Sequence, residues 1–417
     1  MAKQKERKVL DKSNWTQSFN LIGEVASINE YTFNIDKKSE KSDWVYNSLN
    51  LNVDCGSVSG KVNCELMGGY GSERNNNVVY VHGKDEDGKD DFKNQYKIDW
   101  EDRFDESILE DIGDLCFLTV GLEKDSKDKT FYKKFLTPYD AIAYIHEYLK
   151  EGMVVNVKGQ IKYSVYNGSL QTKKEINSIV LSSKTSEEYR ASFTQTMLLD
   201  RDSVTKDSLD KDKGVIRVDA YILEKFKEYN GWDLTEDGKN KGGLFVPLRK
   251  TFEYEINKDR PDLTDKVSKK FFDVKKGTVT QATFEGLFVE SGAVVTITEE
   301  MLRQDPRYSE IVELIDLEVY TLEEGLAKCT VNGAKERRMI IRKPSVKMVG
   351  EEDNKMPEIQ RIEEKYSEED ITEHYFLSEK DSEEEEENDE EVPFGESYDE
   401  SVDTDDDELA ALLEALD

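Results

Sequence analysis

Between residues 152 and 166 the chain reads Gly-Met-Val-Val-Asn-Val-Lys-Gly-Gln-Ile-Lys-Tyr-Ser-Val-Tyr. Residues two apart in an extended strand share a face, so Lys158, Lys162 and Tyr166 project together while Tyr163 points the other way. Ammonium groups in a row with an aromatic ring suit a flexible polyanion that carries flat heterocycles: the cations neutralise phosphates and the rings stack on bases. The same mixture recurs at Lys129, Phe131, Tyr132, Lys133 and Lys134, and Lys173 lies on the returning limb of the 152–181 stretch. Trp44, Tyr46 and Tyr70 supply rings upstream, and Lys225, Tyr229, Trp232, Arg249 and Lys250 repeat the pattern in the second half. Together these are the candidate nucleic-acid-binding residues. The competing reading of each is an ordinary solvated cation or a ring that fills a core.

Catalytic patterns do not compete with this set. The sequence holds no G-x-x-x-x-G-K-[ST] loop, no G-x-G-x-x-G opening a helix, no H-E-x-x-H and no nucleophile elbow. His82, His146 and His374 are far apart in sequence, and Cys55, Cys64, Cys116 and Cys329 form no C-x-x-C pair. Acidic residues are so abundant that carboxylate pairs arise by composition alone. The expectation is a binding protein without turnover, cofactor or resident metal.

Phe19, Leu21, Gly23 and Val25 alternate with polar residues as a half-buried strand does, and so do Leu49, Leu51, Val53 and Val62, Cys64, Leu66. Pro138 followed by Ala141, Ile142, Ile145, Tyr148 and Leu149 predicts a helix over 140–150. The Gly152–Tyr166 strand meets Asn167-Gly168, a strong hairpin turn, and returns over Ser169–Leu181. Strands, then a helix, then a long hairpin is the order of a small closed barrel of the OB type. A second β-rich module is expected over 192–350, with a hairpin that turns at Glu290-Ser291-Gly292, helix over 299–326, and a basic closing strand at Arg337–Lys343. The fold class is therefore mainly β with some helix (α+β): a flexible basic arm over 1–13, an OB-like module over 14–185, a second, possibly OB-like module over 192–350, and an acidic tail over 351–417.

The tail dominates the charge. The chain carries 58 Lys and Arg against 91 Asp and Glu, a net −33. Thirty of those acids and only four of the cations lie beyond Gly350, so the first 350 residues carry just −7. Within that nearly balanced body, basic patches are affordable. Ser382-Glu383-Glu384-Glu385-Glu386-Glu387 has nothing to bury and is expected to stay solvated. Two apolar islands interrupt the acid, Val392-Pro393-Phe394 and the terminal set Leu409, Leu412, Leu413 and Leu416. They are the candidate partner-binding residues. No run approaches the ~20 apolar residues of a membrane span, and no secretory pattern opens the sequence. A cytoplasmic location without membrane contact is expected.

The layout resembles the single-stranded DNA-binding proteins of bacteria and bacteriophages. The hairpin Gly152–Leu181 looks like the final strand pair of their barrel, and Glu390-Glu391-Val392-Pro393-Phe394 resembles their acidic, Ile-Pro-Phe-type tip. That tip ends the family's chains, whereas Phe394 is internal here. The resemblance implies single-stranded DNA as ligand, with replication, recombination and repair proteins recruited through the tail. Two other readings stand beside it: a β-rich phage structural or assembly protein, and an acidic chaperone or DNA mimic.

Overall fold

Alternation of apolar and polar side chains builds two sets of five long strands. A computed structural model describes residues 8–166, 168–210, 214–235, 242–256, 260, 263–295, 299–304, 308–317, 319–322, 325–326, 331–350 and 355–371. The first set is β1 (Gln17–Val25), β2 (Trp44–Asp54), β3 (Lys61–Gly71), β4 (Val154–Tyr166) and β5 (Ser169–Leu181), with helix α1 (Pro138–Tyr148) between β3 and β4. Its pairings close a ring: β1 with β2, β2 with β3, β3 in parallel with β5, β5 with β4, and β4 back to β1. The second set is β6 (Arg190–Leu199), β7 (Val215–Phe226), β8 (Leu244–Glu255), β9 (Thr278–Val295) and β10 (Val331–Pro344), with helix α2 (Thr264–Phe271) between β8 and β9. Here too the ring closes in the same order, β6–β7–β8–β10–β9–β6, and again the third and fifth strands run parallel. A five-stranded Greek-key ring is the OB architecture. The expected mainly β fold with two OB-like barrels is what the chain adopts.

The barrels are joined through their first strands. β1 and β6 pair antiparallel with Phe19 opposite Phe193. Each phenylalanine also sits opposite a glycine of its own fourth strand, Phe19 against Gly159 and Phe193 against Gly286. Neither glycine has room for a side chain: a Cβ on Gly159 would fall 1.8 Å from the Glu175 carbonyl oxygen, and one on Gly286 would fall 2.3 Å from Phe193 Cζ. Phe19, Leu21, Phe193, Phe252, Phe284 and Phe288 are all buried within one apolar network that runs through both barrels.

Local signals explain the better-defined boundaries. Thr137 caps α1 by accepting a hydrogen bond from the Asp140 amide, and Pro138 opens the helix. The β4–β5 hairpin follows its predicted limits, and Gly168 takes φ +72° at the turn.

Three expectations are corrected. Glu290-Ser291-Gly292 does not turn: β9 continues through it to Val295 and pairs with the distant β10, absorbing register shifts at Glu285/Gly286 and Gly292/Val294. The body also extends past 350. A strand β11 (Arg361–Ser367) pairs with β9, and Tyr366 and Ile371 are buried with Leu10, Leu198, Leu223 and Val279. Burial of Leu10 in that cluster likewise ties down the described part of the N-terminal arm, where the Lys8 amide donates to Asp370 Oδ1 and the Asp11 amide to the Tyr366 hydroxyl. Among the described residues, no helix is long and apolar enough to cross a membrane.

Between the barrels lies a buried ion pair, Lys174 Nζ to Glu290 Oε1 at 2.6 Å, with the two side chains 7% and 3% exposed. Removing one partner of such a pair strands the other charge and costs about 3–5 kcal/mol. Lys174→Met is therefore expected to lower stability by about that amount, and Lys174→Met with Glu290→Leu to recover most of it. Urea unfolding of the three proteins checks this; a single variant as stable as the native chain would contradict it.

Candidate nucleic-acid interface

OB barrels take oligonucleotides on the outer face of their second and third strands and on the loops joining strands one to two and four to five. In the first barrel that face is polar but not cationic. Asn50, Asn52 and Asn63 crowd it, with Asn63 Nδ2 donating to the Asn52 side chain at 3.3 Å and Glu65 alongside. Tyr46 is buried, so it is unavailable for stacking. Tyr70 packs against Trp100 and Tyr139, with centroids 5.3 and 5.5 Å away, and closes the barrel mouth. Trp44 is half-buried at the start of β2. Tyr46 and Tyr70 thus serve packing.

The corresponding face of the second barrel is built differently. Across β7 and β8 the register sets Tyr221 opposite Arg249 and Lys225 opposite Phe245. The Arg249 guanidinium lies 5.6 Å from the Tyr221 ring centre, while Lys225 and Lys12 approach Phe245 at 5.9 and 5.8 Å. Cations over aromatic faces mark where a base and its phosphate could be taken together.

The β4–β5 hairpin of the first barrel meets the other side of β7 and β8, where Glu224 and Lys250 share the phase of the buried residues. Lys250 Nζ donates to Thr172 Oγ1 at 3.2 Å across the seam. Glu224 of β7 accepts from Lys12 Nζ at 3.1 Å, from Gln17 Nε2 at 2.5 Å and from the Tyr163 amide at 3.3 Å. Lys162 and Lys173 are register partners on the exposed side of that hairpin, with Tyr166 exposed near its tip. Five cations, Lys12, Lys162, Lys173, Lys225 and Arg249, therefore border the junction of hairpin and second barrel, with Lys250 turned inward between them; only Glu224 and Glu65 pair with these six among the described residues.

The crowding shows in their proton affinities. Burial, reinforced by the Lys174 charge, pulls Lys250 down to about 8 from the usual lysine value. Lys12 is also lowered, chiefly by burial and further by Lys162, against the pull of Glu224.

The other predicted residues lie elsewhere. Phe131 and Tyr132 are exposed on the strand Thr130–Phe135, but Lys133 is held by Glu123 at 3.8 Å and lies 4.2 Å from the Tyr144 ring centre, and Lys134 is held by Asp114 at 2.9 Å. The Lys129 amide closes a turn onto Asp125 Oδ1. Lys158 lies further along the exposed face of β4. Tyr229 and Trp232 face each other in a short hairpin after β7, with Tyr229 packed on Phe226 at 5.3 Å. Val392, Pro393, Phe394, Leu409, Leu412, Leu413 and Leu416 lie outside the described residues.

Burial of two lysines is legible from strand phase. Lys250 is in phase with Val246, Leu248 and Phe252, and Lys174 with Ile176, so their alternation already marked them as inward-facing. Lys12 carried no comparable signal.

One cluster has the outline of a nucleophilic site. His82 Nε2 meets Asp90 Oδ1 at 2.7 Å and His82 Nδ1 meets Cys116 Sγ at 3.2 Å. Burial pushes the Cys116 thiol up, the opposite of what a thiolate nucleophile needs. No group of three or more metal-ligating side chains is found among the described residues.

A family model described only as YorF matches residues 117–291, from just before the strand Leu118–Lys124 into β9. No curated protein matches the chain. Two solved structures of the single-stranded DNA-binding protein from Thermus aquaticus align with it. The wild type is 10% identical, covering 66% of this chain and 86% of that one, and a deletion mutant is 11% identical, covering 66% and 88%. Both have a TM-score of 0.27, too low for the likeness to carry weight.

The Lys250 environment makes a measurement that needs no ligand. Its ammonium should titrate near pH 8, well before exposed lysines. Anything anionic bound at the seam should move that midpoint upward, because the charged form gains a partner. Lysine-selective NMR across pH 7–11, with and without oligo-dT, reads both midpoints; one at the ordinary lysine value would show that the amine is solvated and uncrowded.

Proposed function

We propose that this chain binds single-stranded DNA without turnover, at the seam where the first barrel's β4–β5 hairpin meets β7 and β8 of the second barrel. The observation that carries the reading is the grouping at that junction of five cations with the exposed Tyr166, beside Tyr221 and Phe245, which are half-buried against the Leu10 cluster. Phosphates answer the excess charge and bases stack on the rings, which is the chemistry of sequence-tolerant single-strand binding. Double-stranded DNA hides its ring faces and would use only the cations.

In this reading the acidic segment beyond 371 is a tethered competitor. A polyanion held near a cationic groove acts at a high effective concentration, so it displaces weakly held ligand and yields to tightly held ligand. Its apolar islands, Val392-Pro393-Phe394 and the terminal leucines, would then be offered to replication or recombination proteins when DNA occupies the groove.

The test is titration of fluorescent oligo-dT with the full chain and with a chain ending at Ile371, which keeps Tyr366 and Ile371 in their core. Affinity should fall with salt by a log–log slope of roughly −0.7 for each phosphate neutralised. Truncation should tighten binding, and Lys162→Ala with Arg249→Ala should weaken it roughly tenfold, about 1.4 kcal/mol. Absence of binding by both chains at low salt would end this reading and favour an assembly role.

A further inference from the structure

The β4–β1–β6–β9 sheet that joins the barrels has a second face, turned away from both cores. Its register brings Gln160, Ser18 and Thr194 into one row and Lys158, Asn20 and Ser192 into the next. These six side chains, with Asn177, line a depression of about 390 Å³. Phe19 and Phe193 also line it, and both are buried in the apolar network. Its polar groups are one ammonium among amides and hydroxyls.

We infer that this depression is a nucleotide subsite, a continuation of the strand path from the seam in which hydrogen bonds rather than stacking hold one nucleotide. The inference rests on the proposed function and extends it along the exposed side of β4 past Lys162, to side chains that reading does not use. Three observations carry it.

The first is chemistry. Amides and hydroxyls both donate and accept, which fits base edges and sugar oxygens. Most of the exposed lining is carbon, and the polar head groups of seven side chains stand around it, a mixture that suits a base and its sugar.

The second is charge. Lys158 has no ion-pair partner among the described residues. In the second barrel the matching position, next to Gly286 as Lys158 is next to Gly159, is Glu285, already paired with Lys343 at 3.0 Å. One end of the sheet is therefore ready for a phosphate and the other is neutralised.

The third is continuity. Lys158 and Lys162 lie on the same exposed side of β4, four residues or about 13 Å apart, so a strand leaving the seam at Lys162 meets Lys158 next. Asn20 Oδ1 and Asn156 Oδ1, at the inner end of the same face, are buried without a hydrogen-bond partner. Polar groups left in that condition mark a place where a ligand or water completes the bonding.

The test compares oligo-dT of about 6 and about 30 nucleotides, lengths below and near what two OB barrels cover. Lys158→Gln leaves a surface position of similar size, and Thr194→Leu fills the depression. Both should weaken binding of the long oligonucleotide several-fold and leave the short one unchanged, and Lys158→Gln should reduce the salt slope by about 0.7. An iododeoxyuridine-substituted long oligonucleotide should photocross-link to residues 154–162.

If both variants bind the long oligonucleotide as the native chain does, the subsite is overturned. The seam still stands in that case, provided Lys162→Ala with Arg249→Ala weakens the short oligonucleotide. Silence of that double variant as well would bring down the underlying reading. A change in sedimentation of the DNA-free chain on Thr194→Leu, without a change in binding, would show the face to be a contact between copies and would also overturn the subsite.

Discussion

Everything else in this molecule depends on how the first strand of each barrel uses its second edge. A five-stranded ring closes only if strand one pairs with strand two as well as with strand four. Here that closure is brief: β1 meets β2 only at Glu24 and Val25, and β6 meets β7 only at Leu198. The rest of each edge would be open backbone, which in water invites pairing with another chain. Instead Gln17–Ile22 of β1 and Arg190–Gln195 of β6 fill each other's gap. Each barrel is completed by its neighbour, so separating them would expose both edges and both sides of the seam.

That weld has a chemical consequence. Two barrels joined at their first strands bring the long β4–β5 hairpin of one against β7 and β8 of the other. Side chains that would be solvated on an isolated barrel become seam residues. Lys174 finds Glu290, Lys250 finds Thr172, and the Tyr163 hydroxyl donates to Gln195 Oε1 at 2.9 Å. These polar contacts stand beside the apolar network that the two barrels share, so edge pairing and buried surface hold them together.

What could be read from the sequence follows the distance over which the signal acts. The β4–β5 hairpin was legible because alternation and Asn167-Gly168 lie within thirty residues of one another. The β9–β10 pairing was not, because its partners are separated by residues 296–330 and a local Ser-Gly step imitated a turn. Lys162, Lys173 and Arg249 were recognisable as exposed cations from phase alone. Their meeting with Lys12 was not, since it depends on Leu10 being buried against Tyr366 and Ile371 at the far end of the chain. Tyr46 and Tyr70 were misjudged for the converse reason. Residue type alone made them candidates, whereas in the fold Tyr46 is buried and Tyr70 packs on Trp100 and on Tyr139 of α1.

The seam's electrostatics argue that stability has been given up for something. A lysine half-buried beside another lysine is an unfavourable arrangement, and the fall of Lys250 to about 8 expresses that cost. Glu290 answers Lys174 and Glu224 answers Lys12, yet no carboxylate is paired with Lys250 among the described residues. A fold selected for stability alone could place methionine there, with the same reach and no charge to desolvate. Departures from local consistency concentrate where a surface has work to do. Under the proposed function the missing counter-charge is the phosphate of the bound strand. The repulsion that weakens the free protein then becomes part of what favours the complex.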